Sequence, residues 1–345
     1  MKQRILIILL TLLTTTTAGA QNSSGTFSSC VTWNLDTGKK TLTFTGSGVI
    51  PDKPTSGSVP WEKTNVEHLV FGSGITRIGE NVFKNHVNLK DVVFLTGSQL
   101  TEIGYMAFNS CTSLSAITLP EHLTSIGKNA FEYCQSLESV SIPASVTTIG
   151  ERAFRGCSVL KSVTIPANVT SIGREAFWEC TGLETCTILS TKLTSIVGSC
   201  FYDCSSLTAI DIPEGVTSIG ISAFFGCTSL KYVTLPKSLQ SIDLSAFKNC
   251  SSLKGVICEV VDPLTINNEA FNNNTVFFLP PDADIEAWEG GGYSNISFTR
   301  NLNIANSFSI YFCTMYFPWP TSVNFSSLLK FNNPISQFKP LNRIF

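Results

Sequence analysis

Twelve cysteines lead the residues able to do chemistry, and seven of them recur at a nearly fixed step. Cys111, Cys134, Cys157, Cys180, Cys204, Cys227 and Cys250 follow one another at 23 or 24 residues. Thiolates act as nucleophiles and metal ligands, and paired thiols close disulfides. Metal sites, however, combine close-spaced pairs such as C-x-x-C that converge on one point. A column with one thiol per repeat offers parallel side chains instead, whose Cβ vectors do not favour the disulfide dihedral near 90°. The column reads as buried thiols acting as small apolar side chains. Cys200 and Cys204, four apart, could share one face of a turn for a disulfide or a metal.

The other reactive types are sparse. Three histidines, His68, His86 and His122, stand in no repeated relation to a second titratable group. No nucleophile elbow, H-E-x-x-H, P-loop or dinucleotide fingerprint is present, so neither a catalytic site nor a cofactor is expected. The 23 basic residues are balanced by 25 acidic ones, a formal charge of −2, which leaves no basic face for nucleic acid. Sequons begin at six asparagines, of which Asn168 and Asn295 are the better glycan acceptors for an exported chain.

The element that positions the cysteines is the stretch Leu123 to Pro143, LTSIGKNAFEYCQSLESVSIP, repeated from Val146 as VTTIGERAFRGCSVLKSVTIP. A period of 23 residues is that of a solenoid, whose coils are too small to bury their apolar side chains alone and must stack. Phe83, Phe108, Phe131, Phe154, Phe177, Phe201, Phe224, Phe247 and Phe271 mark nine coils over 66–275. An Ile stands five residues before each Phe, and in six coils a Gly follows it directly, for a backbone conformation that a Cβ would resist. A Leu six residues after the Phe opens Leu137-x-x-Val140-x-Ile142, the period-two pattern of a short strand. Stacking aligns these strands into a parallel sheet on one face, and the Ala-Phe segments predict short helical or 3₁₀ turns on the other.

The flanks differ from the array. Residues 1–20 carry Lys2 and Arg4, the apolar run Ile5 to Leu13 and the ending Ala18-Gly19-Ala20. That is the pattern of a secretory signal peptide, too short for the roughly 20 apolar residues of a membrane span. Residues 21–65 alternate in period two around a turn at Asp36 to Lys39 and are expected to form a β-rich cap. A closing segment is expected over 276–300. The stretch 301–345 has no Asp or Glu and ten aromatic residues, belongs to no repeat, and is expected to be poorly ordered.

The combination x-x-I-G-x-x-A-F-x-x-C-x-x-L-x-x-V/I-x-I/L-P resembles the BspA-type leucine-rich repeat, found on surface proteins of bacteria and of some protozoan parasites. The resemblance implies binding or adhesion at a cell surface without specifying a ligand. The expected location is secreted or on the extracellular face, with an extracellular protein or glycan as partner and no transmembrane span. A surface coat built by self-association is the alternative.

If the sheet face binds, its outward residues are Asp91, Thr118, Ser139, Ser141, Ser162, Thr164, Thr185, Thr187, Asp211, Tyr232 and Thr234. This hydroxyl-rich strip can hydrogen-bond to protein backbone or sugar hydroxyls. Only Tyr232 supplies the aromatic anchor that interfaces usually require.

Overall fold

The computed structural model describes residues 22–300 apart from 28–29, 54–58, 63–64, 273–274, 292 and 294. The expected signal peptide and the 301–345 tail, with Cys313, lie outside the described residues.

The molecule is a parallel β-solenoid of about 11 turns. In the coil that contains Leu123 to Pro143, Ser125–Ile126 forms a two-residue side strand and Ser139–Ser141 the front strand. Neighbouring coils pair like with like. Val140 stands opposite Ile117, and Ile149 opposite both Ile126 and Ile172. The equality of repeat length sets this register, because a slip of one residue would turn every apolar column outward.

Inside, the Phe rings form one stack from Phe83 to Phe271, with centroids 4.9 to 5.5 Å apart and planes within 17° of parallel. The Ile, Leu, Ala and Cys columns are buried around them. Complete burial of one such side chain contributes on the order of 1.5–3 kcal/mol, and a coil can collect it only when neighbours cover both its sides.

The back of each coil is a run of turns containing no continuous helix. Alternate amides close i→i−3 bonds within the coil, as Ala130 N–H to Gly127 O and Glu132 N–H to Asn129 O, each 3.2 Å. The amides between them donate to the next coil, as Asn129 to Glu151, Phe131 to Ala153 and Tyr133 to Arg155, at 2.7 to 2.8 Å. The outward rotation comes from left-handed residues two before and two after the Phe. In this coil they are Asn129 at φ 58° and Tyr133 at φ 59°, and seven other coils repeat the pair.

The Ile-Gly glycines correct the expectation made for them. Gly104, Gly127, Gly150 and Gly173 are not among the positive-φ residues. A Cβ on them would instead stand 2.2 to 2.8 Å from backbone of the preceding coil. Close approach, not backbone conformation, demands glycine here.

The caps continue the coil geometry. Thr41–Ile50 pairs in parallel with His68–Phe71 through its first half and with Gly74–Ile78 through its second, so it begins both the front and the side ladder. Trp61, fully buried, packs on Trp33 and Phe44 and covers the apolar end. At the other end Thr275–Leu279 and Ile296–Arg300 add two front strands. The helix Ile285–Glu289, capped by Asp284, carries the buried Trp288 against Phe298.

Both ladders are interrupted once. The front ladder ends at Thr185–Ile188 and resumes at Ala209–Asp211; the side ladder ends at Ser171–Ile172 and resumes at Ser195–Ile196. The cause is the extra residue of this coil, which lies between Ile188 and Leu193, five apart where Ile165 and Val169 are four. Ile196 to Phe201 keeps the normal spacing.

Candidate functional site

The front sheet presents the predicted strip as two columns. Ser139, Ser162 and Thr185 align in one, and Thr118 and Ser141, with Thr164 and Thr187, in the other. All seven are exposed, as are Asp211 and Tyr232, whereas Asp91 and Thr234 are half-buried. Asp91 is engaged, its carboxylate 2.7 Å from His68 Nδ1. The break between Thr187 and Asp211 divides the strip, so eight of its residues stand on one sheet and Asp211 and Tyr232 with Thr234 on another.

Sequence reasoning missed apolar groups at both ends of the strip. At the first end Val93 neighbours Thr118 in the sheet, and Val93 and Leu95 are 45% and 47% exposed. They border a cavity of about 540 Å³ that reaches Pro120 and His122. At the far end Gly255 pairs with Tyr232, and a Cβ on it would stand 2.7 Å from the Phe278 ring and 3.7 Å from Tyr232. The missing side chain gives Phe278 its place, so Tyr232 is not the strip's sole aromatic. The absence of a side chain at Gly255, outside the strongest repeats, was the available signal.

The cysteine column is closed to reagents. Each of the seven thiols is at most 2% exposed and donates to the carbonyl of the preceding coil's Phe at 3.1 to 3.3 Å. Burial pushes the Cys134 thiol up to about 12 and the others of the column up to Cys227 in the same direction. Cys200, like Cys204, is a buried free thiol. It occupies the Ala column, immediately before its Phe, and is 1% exposed. Cys186 and Cys258 likewise replace the Val and Ile of the front strand. No group of three or more His, Cys, Asp or Glu is arranged to hold a metal among the described residues.

The three histidines make separate contacts. His86 takes the cysteine position in the first coil, edge-on to Phe83 at 5.8 Å, and burial lowers its pKa. His122 Nδ1 lies 3.1 Å from the Ser98 carbonyl. Of the two preferred sequons, Asn168 is exposed with its Nδ2 donating to Ala144 O, and Asn295 is half-buried with its Nδ2 3.4 Å from Asn268 O.

The back corner carries a second feature without a repeating residue type. Arg155 lies over Trp178 at 4.8 Å, Trp178 stacks on Tyr202 at 4.6 Å, and Tyr202 on Phe225 at 4.7 Å. Beneath them Glu132 accepts from Asn109 and Asn129, and Glu175 from Arg152 Nε at 2.6 Å. Both carboxylates are buried, with Arg155 Nη1 3.8 to 3.9 Å from each.

A family profile described as the BspA type leucine rich repeat region matches residues 57–184 and 147–278, in six copies. Among solved structures, a leucine rich cell surface protein of Faecalibacterium prausnitzii A2-165 is 24% identical, over 85% of this chain and 98% of its own, at a TM-score of 0.39. A leucine-rich repeat protein of Bacteroides ovatus ATCC 8483 is 21% identical, over 79% and 99%, at 0.47. The pneumococcal vaccine antigen PcpA is 17% identical, over 81% and 98%, at 0.42. No curated protein matches the sequence.

Proposed function

The chain belongs to the BspA-type leucine-rich repeat family, and on that premise we propose that it is a non-enzymatic binding protein of the cell exterior, adhering to an extracellular protein or glycan through the front sheet. The observation that carries the reading is the exposed double column of hydroxyls, Thr118 to Thr187, bordered by Val93 at one end and, beyond the break, by Tyr232 and Phe278. Hydroxyls on a rigid sheet offer donors and acceptors at fixed steps, and the apolar groups supply the desolvated anchors that most interfaces depend on. The expected signal peptide and the family's surface proteins support an exterior location.

Binding of the purified chain to immobilised matrix proteins and surface glycans tests the proposal. Saturable binding that Tyr232→Ala or Asp211→Ala weakens by about tenfold, roughly 1.4 kcal/mol, is the expected result. Absence of saturable binding, with concentration-dependent assembly of the chain itself, would replace adhesion by a self-associating coat.

A further inference from the structure

We propose that the groove across the back corner of four consecutive coils, from Tyr133 to Ser205, is a binding site for a neutral linear saccharide. It shares with the front-sheet reading the premise that the chain binds ligands, and it places a second site on another face. The groove is shallow and open to solvent, with a volume of about 410 Å³. One wall is the left-handed column two residues after the Phe, namely Tyr133, Gly156, Glu179 and Asp203. The other is the column two residues further on, with Ser158, Thr181 and Ser205.

Gly156 shapes the aromatic end. A Cβ at this position would stand 2.4 Å from Tyr133 Cδ1, so only the lack of a side chain leaves the ring its place. Arg155 flanks the same ring at 5.6 Å and fixes it beside the Trp178 stack. A half-buried aromatic wall beside polar groups suits a ligand with apolar C–H faces and polar edges.

The polar wall is mostly acceptor in character, with the Gln135 amide adding donors at one end. Thr181 Oγ1 donates to the Ser158 carbonyl at 3.2 Å and Ser205 Oγ to the Thr181 carbonyl at 3.4 Å. Their protons are thus committed inward, and the remaining lone pairs face the groove as acceptors. Carboxylates accept only. Glu179 is paired with Arg155 at 3.9 Å, while the Asp203 carboxylate receives no hydrogen bond among the described residues. Burial and the nearby Glu179 raise the Asp203 pKa, as expected of an acceptor lacking donors.

A ligand that satisfies this wall must bring donors for the acceptors and an acceptor for Gln135, as a hydroxyl does. A phosphate or sulfate brings acceptors and negative charge and would face two carboxylates. A saccharide brings a series of O–H donors, and coils spaced about 4.8 Å apart repeat the acceptor set at a step comparable to one sugar ring. Arg155 offsets one of the two carboxylates, which favours an uncharged chain over a polycation.

Isothermal titration of the full chain with cellohexaose, laminarihexaose, maltohexaose and mannohexaose tests the site, with hexalysine and a heparin hexasaccharide as charged probes. At least one neutral hexasaccharide should bind saturably. Asp203→Ala and Tyr133→Ala should each weaken it about tenfold, and Ser158→Arg, which fills the groove from its rim, should abolish binding while the circular dichroism melt stays unchanged. Tyr232→Ala, on the front sheet, should leave it intact. Binding of hexalysine or heparin alone, no binding of any neutral sugar, or sugar binding that Ser158→Arg leaves untouched would overturn the proposal. Loss on Tyr232→Ala with Asp203→Ala silent would assign the sugar to the front sheet.

Discussion

Cys157 Sγ donates to the Phe131 carbonyl at 3.3 Å, and that carbonyl also accepts from the Cys134 amide at 3.2 Å. One carbonyl thus closes a turn in its own coil and holds the thiol of the next. The thiol fits the column because it is nearly apolar yet able to donate weakly.

Ten cysteines from Cys111 to Cys258 are buried thiols in the structure. With Cys134 and Cys186 pushed up to about 12 by burial, their thiolate fraction at neutral pH is negligible. Titration with a thiol reagent under non-reducing conditions should leave these ten unmodified in the native chain and count at least ten after denaturation. A denatured count near zero would mean that the column is oxidised.

The left-handed positions give a second expectation. A non-glycine residue there carries strain of about 1–2 kcal/mol; Gly156 and Gly226 show that the column two after the Phe accepts glycine, and Ser222 stands in the column two before it. Ser222, at φ 55°, should tolerate Ser222→Gly with a gain of up to about 1 kcal/mol after the entropy cost of glycine, whereas Ser222→Val should cost about 2 kcal/mol. Urea midpoints of the two variants check this, and a stabilising valine would contradict the backbone assignment.

Acid should act first near the N-terminal cap. Hydrogen bonds from Lys40 and then Lys90 hold Glu67 down to about 2, against an ordinary value of 4.5. Between these values the unfolded chain binds the proton and the folded chain does not, so stability rises with pH. The contribution is complete above about 4.5 and lost as pH falls toward about 2. Melting temperatures from pH 2 to 6 should converge for wild type and Glu67→Gln at the acid end and separate above pH 4.5. Equal curves throughout would show that the pair contributes nothing.

The legibility of this fold follows from its columns. Ile126, Phe131, Cys134 and Leu137 recur because each meets its own kind in the next coil, and that requirement is written in residue type and spacing. Left-handed turns left a fainter signal, the Asn and Gly at Asn81, Asn85, Asn129, Gly156, Gly226 and Asn249, since these residues tolerate positive φ best. The groove left almost none. Tyr133, Glu179 and Asp203 share a column but no chemistry, and their convergence depends on coil stacking and on one missing side chain at Gly156. The front strip was legible as positions, whereas Phe278 entered it from a segment beyond the clear repeats.

The lengthened coil should be the weakest joint of the solenoid. In five other coils the turn after the front strand is closed by a proline carbonyl, as Val146 N–H to Pro143 O at 3.1 Å. Leu189 stands where that proline would be, and the buried Ser190 takes over by side chain, donating to Val169 O at 2.5 Å and accepting from Lys192 N–H at 3.1 Å. Ser190→Ala removes both bonds and should cost about 1–3 kcal/mol, because the groups left behind have no replacement partner in the turn. In a chain whose coils stabilise only their neighbours, that loss falls on one interface. Hydrogen exchange should therefore be faster at Ala209–Asp211 than at Ser162–Ile165, and Ser190→Ala should widen the difference. Uniform protection across the two segments, unchanged by the substitution, would show that the interrupted ladders are bridged as firmly as the continuous ones.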